Sequence, residues 1–199
     1  MTFMGSQGQD FDYSQRAQWL RAVVLGGMEG LVLTTLLMMD AEKVAQRTGA
    51  DKNKAMLITW SVGLIAGAMR MAIIELVSVY TQVDTIAFQA ERDMKVGRGG
   101  QQTWVIPSAT EVAMASSLAY LLWGAAPLVA GVFVKDVHVR FSIAMIATSL
   151  SMVVLGMIGA ALGKAPIPRS CARVLVGGLI AVSVMWGKIK ILGFILLKI

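Results

Sequence analysis

Five long apolar runs, at residues 22–39, 55–80, 112–134, 141–163 and 172–187, constrain this chain more than any other feature. A helix needs about 20 residues to cross a hydrocarbon core about 30 Å thick, and each run approaches or exceeds that length, the first and last being the shortest. With 56% hydrophobic and only 15% charged residues, the chain lacks the polar surface that a water-soluble domain would need to cover itself. The expected fold class is therefore an all-α integral membrane protein, a five-transmembrane-helix bundle. Residues 1–15 read as a flexible polar N-terminus, 16–187 as the transmembrane domain, and 188–199 as a C-terminal tail whose lysines fit a helix end at the interface. The first run begins after the acidic stretch Asp10-Phe11-Asp12 and lacks a small-residue cleavage site, so it reads as a mature helix and not a secretory signal.

The connections carry the charge. Ser14 is the expected N-cap of the first helix, and Trp19 with Arg16 and Arg21 reads as its interfacial anchor. Residues 40–54 mix both signs around Gly49 and read as a solvated loop. Residues 84–94 are helix-compatible, which predicts that helix two continues past the membrane before the glycines at 97–100. The connection at 135–140 is short enough to demand an antiparallel neighbour, and the one at 164–169 is stiffened by Pro166 and Pro168. The formal net charge of +6 is scattered through these loops with no basic tract, which argues for membrane flanking and against nucleic acid. Lys and Arg divide almost evenly between the two sides, so charge leaves the orientation open. Cys171 is the only cysteine, which excludes a disulfide within the chain and predicts a buried free thiol.

An odd number of spans cannot pair as two inverted halves, so any symmetry around a pathway must come from a second copy, a homodimer. The spacings Gly26-x-x-x-Gly30 and Gly63-x-x-x-Gly67 allow helices one and two to approach others closely.

Function is to be sought where charge enters the apolar runs: Glu29 in the first, Arg70 and Glu75 in the second. A charge at bilayer depth costs from about 2.5 to more than 10 kcal/mol, so it usually faces a bundle interior or a water-filled path. On helix two, Met71, Glu75, Ser78 and Gln82 recur at spacings of four, three and four and share one stripe. Helix one offers Glu29, with Asp40 about three turns away near the same face. If these stripes meet, two carboxylates and a thioether converge. That donor set suits Fe(II) better than Mg or Ca, with Mn, Co, Ni and copper also compatible. Carboxylates can take up protons when no cation is bound, which permits proton-for-metal exchange.

Structural alternatives exist for each residue. Glu29 and Glu75 could form ion pairs between helices, with Arg70 the obvious partner; because Arg70 is about 140° around the helix from Glu75, its partner must sit on another helix or subunit. Met71 could be packing, as most of the fourteen methionines are, among them Met38, Met56, Met114, Met145, Met152 and Met157. His138 is a lone histidine in a short loop and reads as a surface residue. There is no nucleophile–base pair, phosphate loop or Cys/His metal cluster, so the expectation is no enzyme and no cofactor.

The stretch Asp12-Tyr13-Ser14-Gln15-Arg16-Ala17-Gln18-Trp19-Leu20-Arg21-Ala22, with Val24-Leu25-Gly26 and Gly30-Leu31-Val32, resembles the first helix of the vacuolar iron transporter family, especially its plant nodulin-like branch. The likeness continues in Gly63-Leu64-Ile65-Ala66-Gly67-Ala68, Met71-Ala72, Glu75, Val77-Ser78-Val79-Tyr80-Thr81-Gln82, Ala125-Ala126-Pro127-Leu128 and Arg173-Val174-Leu175-Val176-Gly177-Gly178. The resemblance implies a five-helix subunit, dimeric, in the vacuolar membrane with a cytosolic N-terminus, moving ferrous iron and sometimes manganese from cytosol to vacuole in exchange for protons. By motif its metal site falls on Glu29, Met71 and Glu75, the positions the helical stripes also single out.

The chain departs from the family in five places, one being the tail after Gly187, where Lys188 and Lys190 stand in place of apolar or small residues. It has only a short connection where full-length members carry a Glu-rich cytoplasmic insert, as the nodulin-like branch does. The family's Asn-Asp-Gly appears as Met28-Glu29-Gly30, Arg70 replaces a serine, and Ile74 replaces a glycine. A guanidinium beside the path opposes a divalent cation and can engage a carboxylate. This opens a second expectation: a non-transporting, dimerising or scaffolding paralogue in which Arg70 neutralises the site.

Overall fold

The apolar runs are helices, and most of their ends lie further out than residue patterning predicts, although the third and fourth stop at Gly131 and Leu162, just short of it. The computed structural model describes residues 4–49, 51–95, 108–131, 133–134 and 136–196. Within it α1 spans Met4–Thr48, α2 Lys52–Lys95, α3 Ala109–Gly131, α4 Val137–Leu162 and α5 Ile167–Leu196. Each contains a segment long and apolar enough to cross a membrane.

Two local expectations are corrected. Residues 4–15 are helical, so α1 begins at Met4 and Ser14 lies inside it, not at its cap. No proline stands in this stretch to stop a helix from propagating back from the apolar run. Residues 40–48 are also helical, because Ala41, Glu42, Lys43, Ala45, Gln46 and Arg47 are all good helix formers. The expected loop shrinks to a turn at Gly49, whose φ of 69° a side chain would strain. Asp51 then caps α2, its carboxylate accepting from the backbone N–H of Asn53 at 3.0 Å. At the C-terminal end α5 continues through Lys188 and Lys190 to Leu196, a helix end as those lysines suggest. Helix two does run past the membrane to Lys95, as its composition predicts. The side chain of His138 and residues 96–107 lie outside the described residues.

α1 is the hub, touching all four other helices, whereas among the described residues the backbone of α2 lies close only to α1 and α3. The closest approach is between α1 and α3. A Cβ on Gly26 would lie 2.2 Å from the Ser116 carbonyl oxygen and one on Gly30 2.5 Å from that of Tyr120, so the helices meet backbone to backbone. Gly67 of α2 faces the Tyr120 ring in the same way. On the other flank of α1, Leu31, Leu36, Met152 and Leu155 form a buried cluster against α4, and Thr35 and Thr148 share a hydrogen bond of 2.8 Å. Cys171 is a free, half-buried thiol that donates to the Val153 carbonyl at 3.6 Å.

At the far end Arg140 of α4 is buried and ties that helix to α2 and to the α3–α4 connection. Its Nε donates to the Val134 carbonyl at 2.7 Å and its Nη2 to Asn53 Oδ1 at 2.9 Å.

Candidate functional site

The tight turn at Gly49 makes α1 and α2 antiparallel neighbours, so ascending numbers on one run beside descending numbers on the other. This register brings residue 21 near residue 75, and residue 29 near residue 70. The four side chains there are all charged, and they pair across the two helices. Arg21 donates to Glu75 Oε2 at 3.1 Å, and Arg70 donates to Glu29 Oε1 at 2.5 Å. The pairs are inverted: α1 supplies the cation of one and the anion of the other. Along α1 they are separated by about 12 Å, at 1.5 Å per residue.

Their surroundings differ. The Glu75 side chain is 2% exposed against 50% for Arg21, so the carboxylate is enclosed while its partner reaches inward from the outside. Glu29 and Arg70 are 39% and 46% exposed, a pair on the outer surface of the subunit. The neighbours of Arg70 on that surface are apolar: Met69, Ile73, Ile74 and Val77 are all exposed. Ile74 is thus half exposed on the same face of α2 as Arg70.

The expected stripe on α2 does turn inward at its centre. Met71 and Glu75 are buried, with Val79 continuing the face, while Ser78 and Gln82 are half-buried. Met71 packs with Ala68 and Tyr120, and Leu33, Leu64 and Leu121 surround this cluster. Asp40 is half-buried and about 16 Å along α1 from Glu29, too far to join it. Among the described residues no three His, Cys, Asp or Glu side chains converge as a metal cluster. Each carboxylate is engaged by its own guanidinium.

Two participants escaped the sequence reading. Arg21 reads there as an interfacial anchor, and only the antiparallel register makes it the partner of Glu75. Tyr120 is fully buried between α1 and α2, and among the described residues its hydroxyl has no hydrogen-bond partner; the Ser116 hydroxyl one turn earlier is likewise unsatisfied there. A buried polar atom left unpaired costs about 1–3 kcal/mol, so two on one face of α3 call for a reason. The available signal was polarity: a tyrosine and two adjacent serines, Ser116 and Ser117, in an otherwise apolar run.

Such an arrangement can exchange cations. It offers a buried carboxylate held by a displaceable guanidinium, a thioether one turn away, and two hydroxyls with unused acceptor capacity on the facing helix.

Comparison with known proteins bears on the whole chain. Residues 94–189 match the model of the VIT family. The chain is 46% identical over 188 residues to vacuolar iron transporter homolog 1 of Arabidopsis thaliana, covering 94% of this chain and 90% of the relative. It is 42% identical over 188 residues to vacuolar iron transporter homolog 1 of rice, Oryza sativa subsp. japonica, covering 94% and 79%. With VIT-like transporter 1b of soybean, Glycine max, it shares 41% identity over 187 residues, covering 92% and 80%. No solved structure is significantly similar to it.

Proposed function

This chain belongs to the VIT family, and from that premise we propose that it carries ferrous iron from the cytosol into the vacuole, with manganese(II) as a second substrate and protons moving in exchange. It is a multi-pass membrane transporter, not an enzyme, and iron is its substrate and not a cofactor.

The observation that carries the reading is the enclosed Glu75, charged and 2% exposed inside a membrane span, with Met71 buried one turn away. An anion is not left there without a counter-charge. In the resting state Arg21 supplies it; in the loaded state the metal does. Glu75 and Glu29 are the proposed oxygen ligands and proton acceptors, and Met71 the softer ligand that favours iron(II) over magnesium. Loading displaces the guanidinium from Glu75, and protons arriving from the vacuole neutralise the carboxylates and release the ion. The apolar outer face of α2 and the half-exposed Glu29–Arg70 pair favour a homodimer, because a second copy would remove both from lipid.

Iron uptake by vesicles reconstituted with the full chain tests the site. Glu75→Gln is expected to abolish uptake with the protein still folded; uptake at the rate of the unaltered protein would eliminate the site.

One observation favours a second reading. Arg70 is bound to Glu29, the arrangement a non-transporting scaffold would need to hold a carboxylate permanently. Absence of uptake by the unaltered chain, with uptake gained in Arg70→Ser, would select that reading.

A further inference from the structure

The residues around Glu75 stack in layers where α1, α2 and α3 meet. Ascending numbers on α1 and α3 run beside descending numbers on α2: Ala22, Val112 and Val79 share one buried cluster, Gly26 meets Ser116, Gly30 meets Tyr120, and Tyr120 packs with Met71 and Ala68. Four residues make about one turn, or about 6 Å of rise, so these layers follow one another turn by turn. The layer between Val79 and Met71 on α2, and between Val112 and Tyr120 on α3, therefore holds Glu75, Ser116 and Gly26. Gly26 brings no side chain, and a Cβ there would lie 2.9 Å from Ser116 Oγ. The polar groups of this layer are thus the Glu75 carboxylate and the Ser116 hydroxyl, on residues 1% and 0% exposed.

The hydroxyl itself gives a second, independent observation. Serine and threonine in a helix commonly donate to a carbonyl one turn back. Thr34, Thr81, Ser149 and Ser183 each do so to the residue four positions earlier, and Ser117, next in the chain, donates to the Met114 carbonyl at 3.0 Å. Ser116 makes no such bond: its Oγ is buried and has no hydrogen-bond partner among the described residues. Glu75 does not engage it either, since the carboxylate is held at Oε2 by Arg21. A buried hydroxyl left unpaired is destabilising, and alanine would fill the same place without that cost.

We propose that Ser116 sets which metal the Glu75 site accepts, its hydroxyl serving as a neutral oxygen ligand from α3. This rests on Glu75 being an ion ligand, as proposed above. The carboxylate supplies charge that any divalent cation can use, so discrimination falls to the neutral donors beside it. The Met71 thioether, one turn along α2, draws softer ions, whereas an added oxygen suits the harder manganese(II). Ser116 provides that oxygen in the carboxylate's own layer and adds no charge, so the balance between ion, Glu75 and protons is unaltered. Tyr120 lies one turn further on, level with Met71.

The test is equilibrium binding of manganese(II) to the full chain in detergent, read from the paramagnetic resonance of the free ion, with cadmium(II) as the soft competitor. All proteins carry Cys171→Ser, so that the native thiol takes no cadmium. Ser116→Ala should bind manganese about tenfold more weakly and cadmium as before, and should unfold no more readily than its parent, because the hydroxyl it removes has no partner to lose. Ser116→Cys, close in size, should reverse the preference, holding cadmium about tenfold more tightly while manganese weakens. A purely structural role would move both metals together. Equal changes for the two metals, an unchanged Ser116→Ala, or a loss of stability in that variant would overturn the proposal and leave Glu75 as the ligand. Glu75→Gln separates the two readings: it should abolish binding of both ions, and binding retained there, or absent from the parent, would overturn the site and this inference with it.

Discussion

Arg70 on α2 and Glu29 on α1 meet at 2.5 Å with both side chains close to half exposed. Eight residues earlier on α1, Arg21 makes the inverse pair with a Glu75 that almost nothing outside the protein can touch. The chemistry of the two pairs is the same, but their energetics are not. Both lie within membrane spans, but the Glu29–Arg70 pair is open to whatever meets the outer face of the subunit, whereas Glu75 is enclosed by protein and, losing its partner, is left as an uncompensated buried charge.

Arg70→Ser should change the affinity for metal. Removing the guanidinium takes away the cation that competes with metal for Glu29, and about 1 kcal/mol of such competition corresponds to a shift of about fivefold in the half-saturating iron concentration. Uptake by vesicles as a function of iron concentration checks this, and the expected direction is tighter. An unchanged curve would mean that the pair does not compete with the ion.

Arg21→Gln should behave differently, lowering stability by about 3–5 kcal/mol because Glu75 is stranded. Neutralising the anion as well, in Arg21→Gln with Glu75→Gln, should recover most of the loss. Denaturant unfolding of the two single variants and the double variant gives the coupling energy directly. Additive losses would show that the pair is not what holds Glu75 in the interior.

How far the sequence reveals all this depends on the kind of information required. Apolar run length suffices for five helices, since a continuous apolar run of about 20 residues satisfies its backbone in lipid only as a helix, whereas barrel strands are about 10 residues long and alternate. Helix ends were misjudged at residues 4–15 and 40–48 because a charged, polar segment reads equally well as loop or as an exposed helix; only the lack of a breaker distinguishes them. The stripe through Met71 and Glu75 was legible from period alone. Arg21 as the partner of Glu75 was not, because that needs the register of two antiparallel helices, which the turn at Gly49 sets. The unsatisfied hydroxyl of Tyr120 was out of reach for the same reason, since burial between three helices is not written in any one of them.

The glycines of α1 provide a prediction about assembly. Gly30→Leu drives a side chain into the Tyr120 carbonyl, where even a Cβ would lie at 2.5 Å, and Gly26→Ala meets the Ser116 carbonyl at 2.2 Å. Neither backbone can give way cheaply, so α1 and α3 must separate, and losses of about 3 kcal/mol or more are expected. Gly177→Ala is the control, because its added methyl would find only Met28 Cε at an ordinary 3.8 Å. Thermal unfolding in detergent should rank Gly177→Ala beside the unaltered protein and both α1 variants far below it.

Tyr120→Phe separates what stabilises this protein from what it is kept for. The hydroxyl lies against Gly67, fully buried and without a hydrogen-bond partner, so deleting it removes an unsatisfied group and leaves the ring against Ala68 and Met71 in place. On stability alone the variant should gain about 1 kcal/mol, since the penalty of the stranded hydroxyl disappears. If that hydroxyl is retained to accept from, or donate to, what passes Met71 and Glu75, the same variant should take up iron more slowly. A more stable but slower protein is the expected outcome, measured by unfolding and vesicle uptake on one preparation. Unchanged uptake would make the hydroxyl a plain packing defect, and a loss of stability would mean that it has a partner after all.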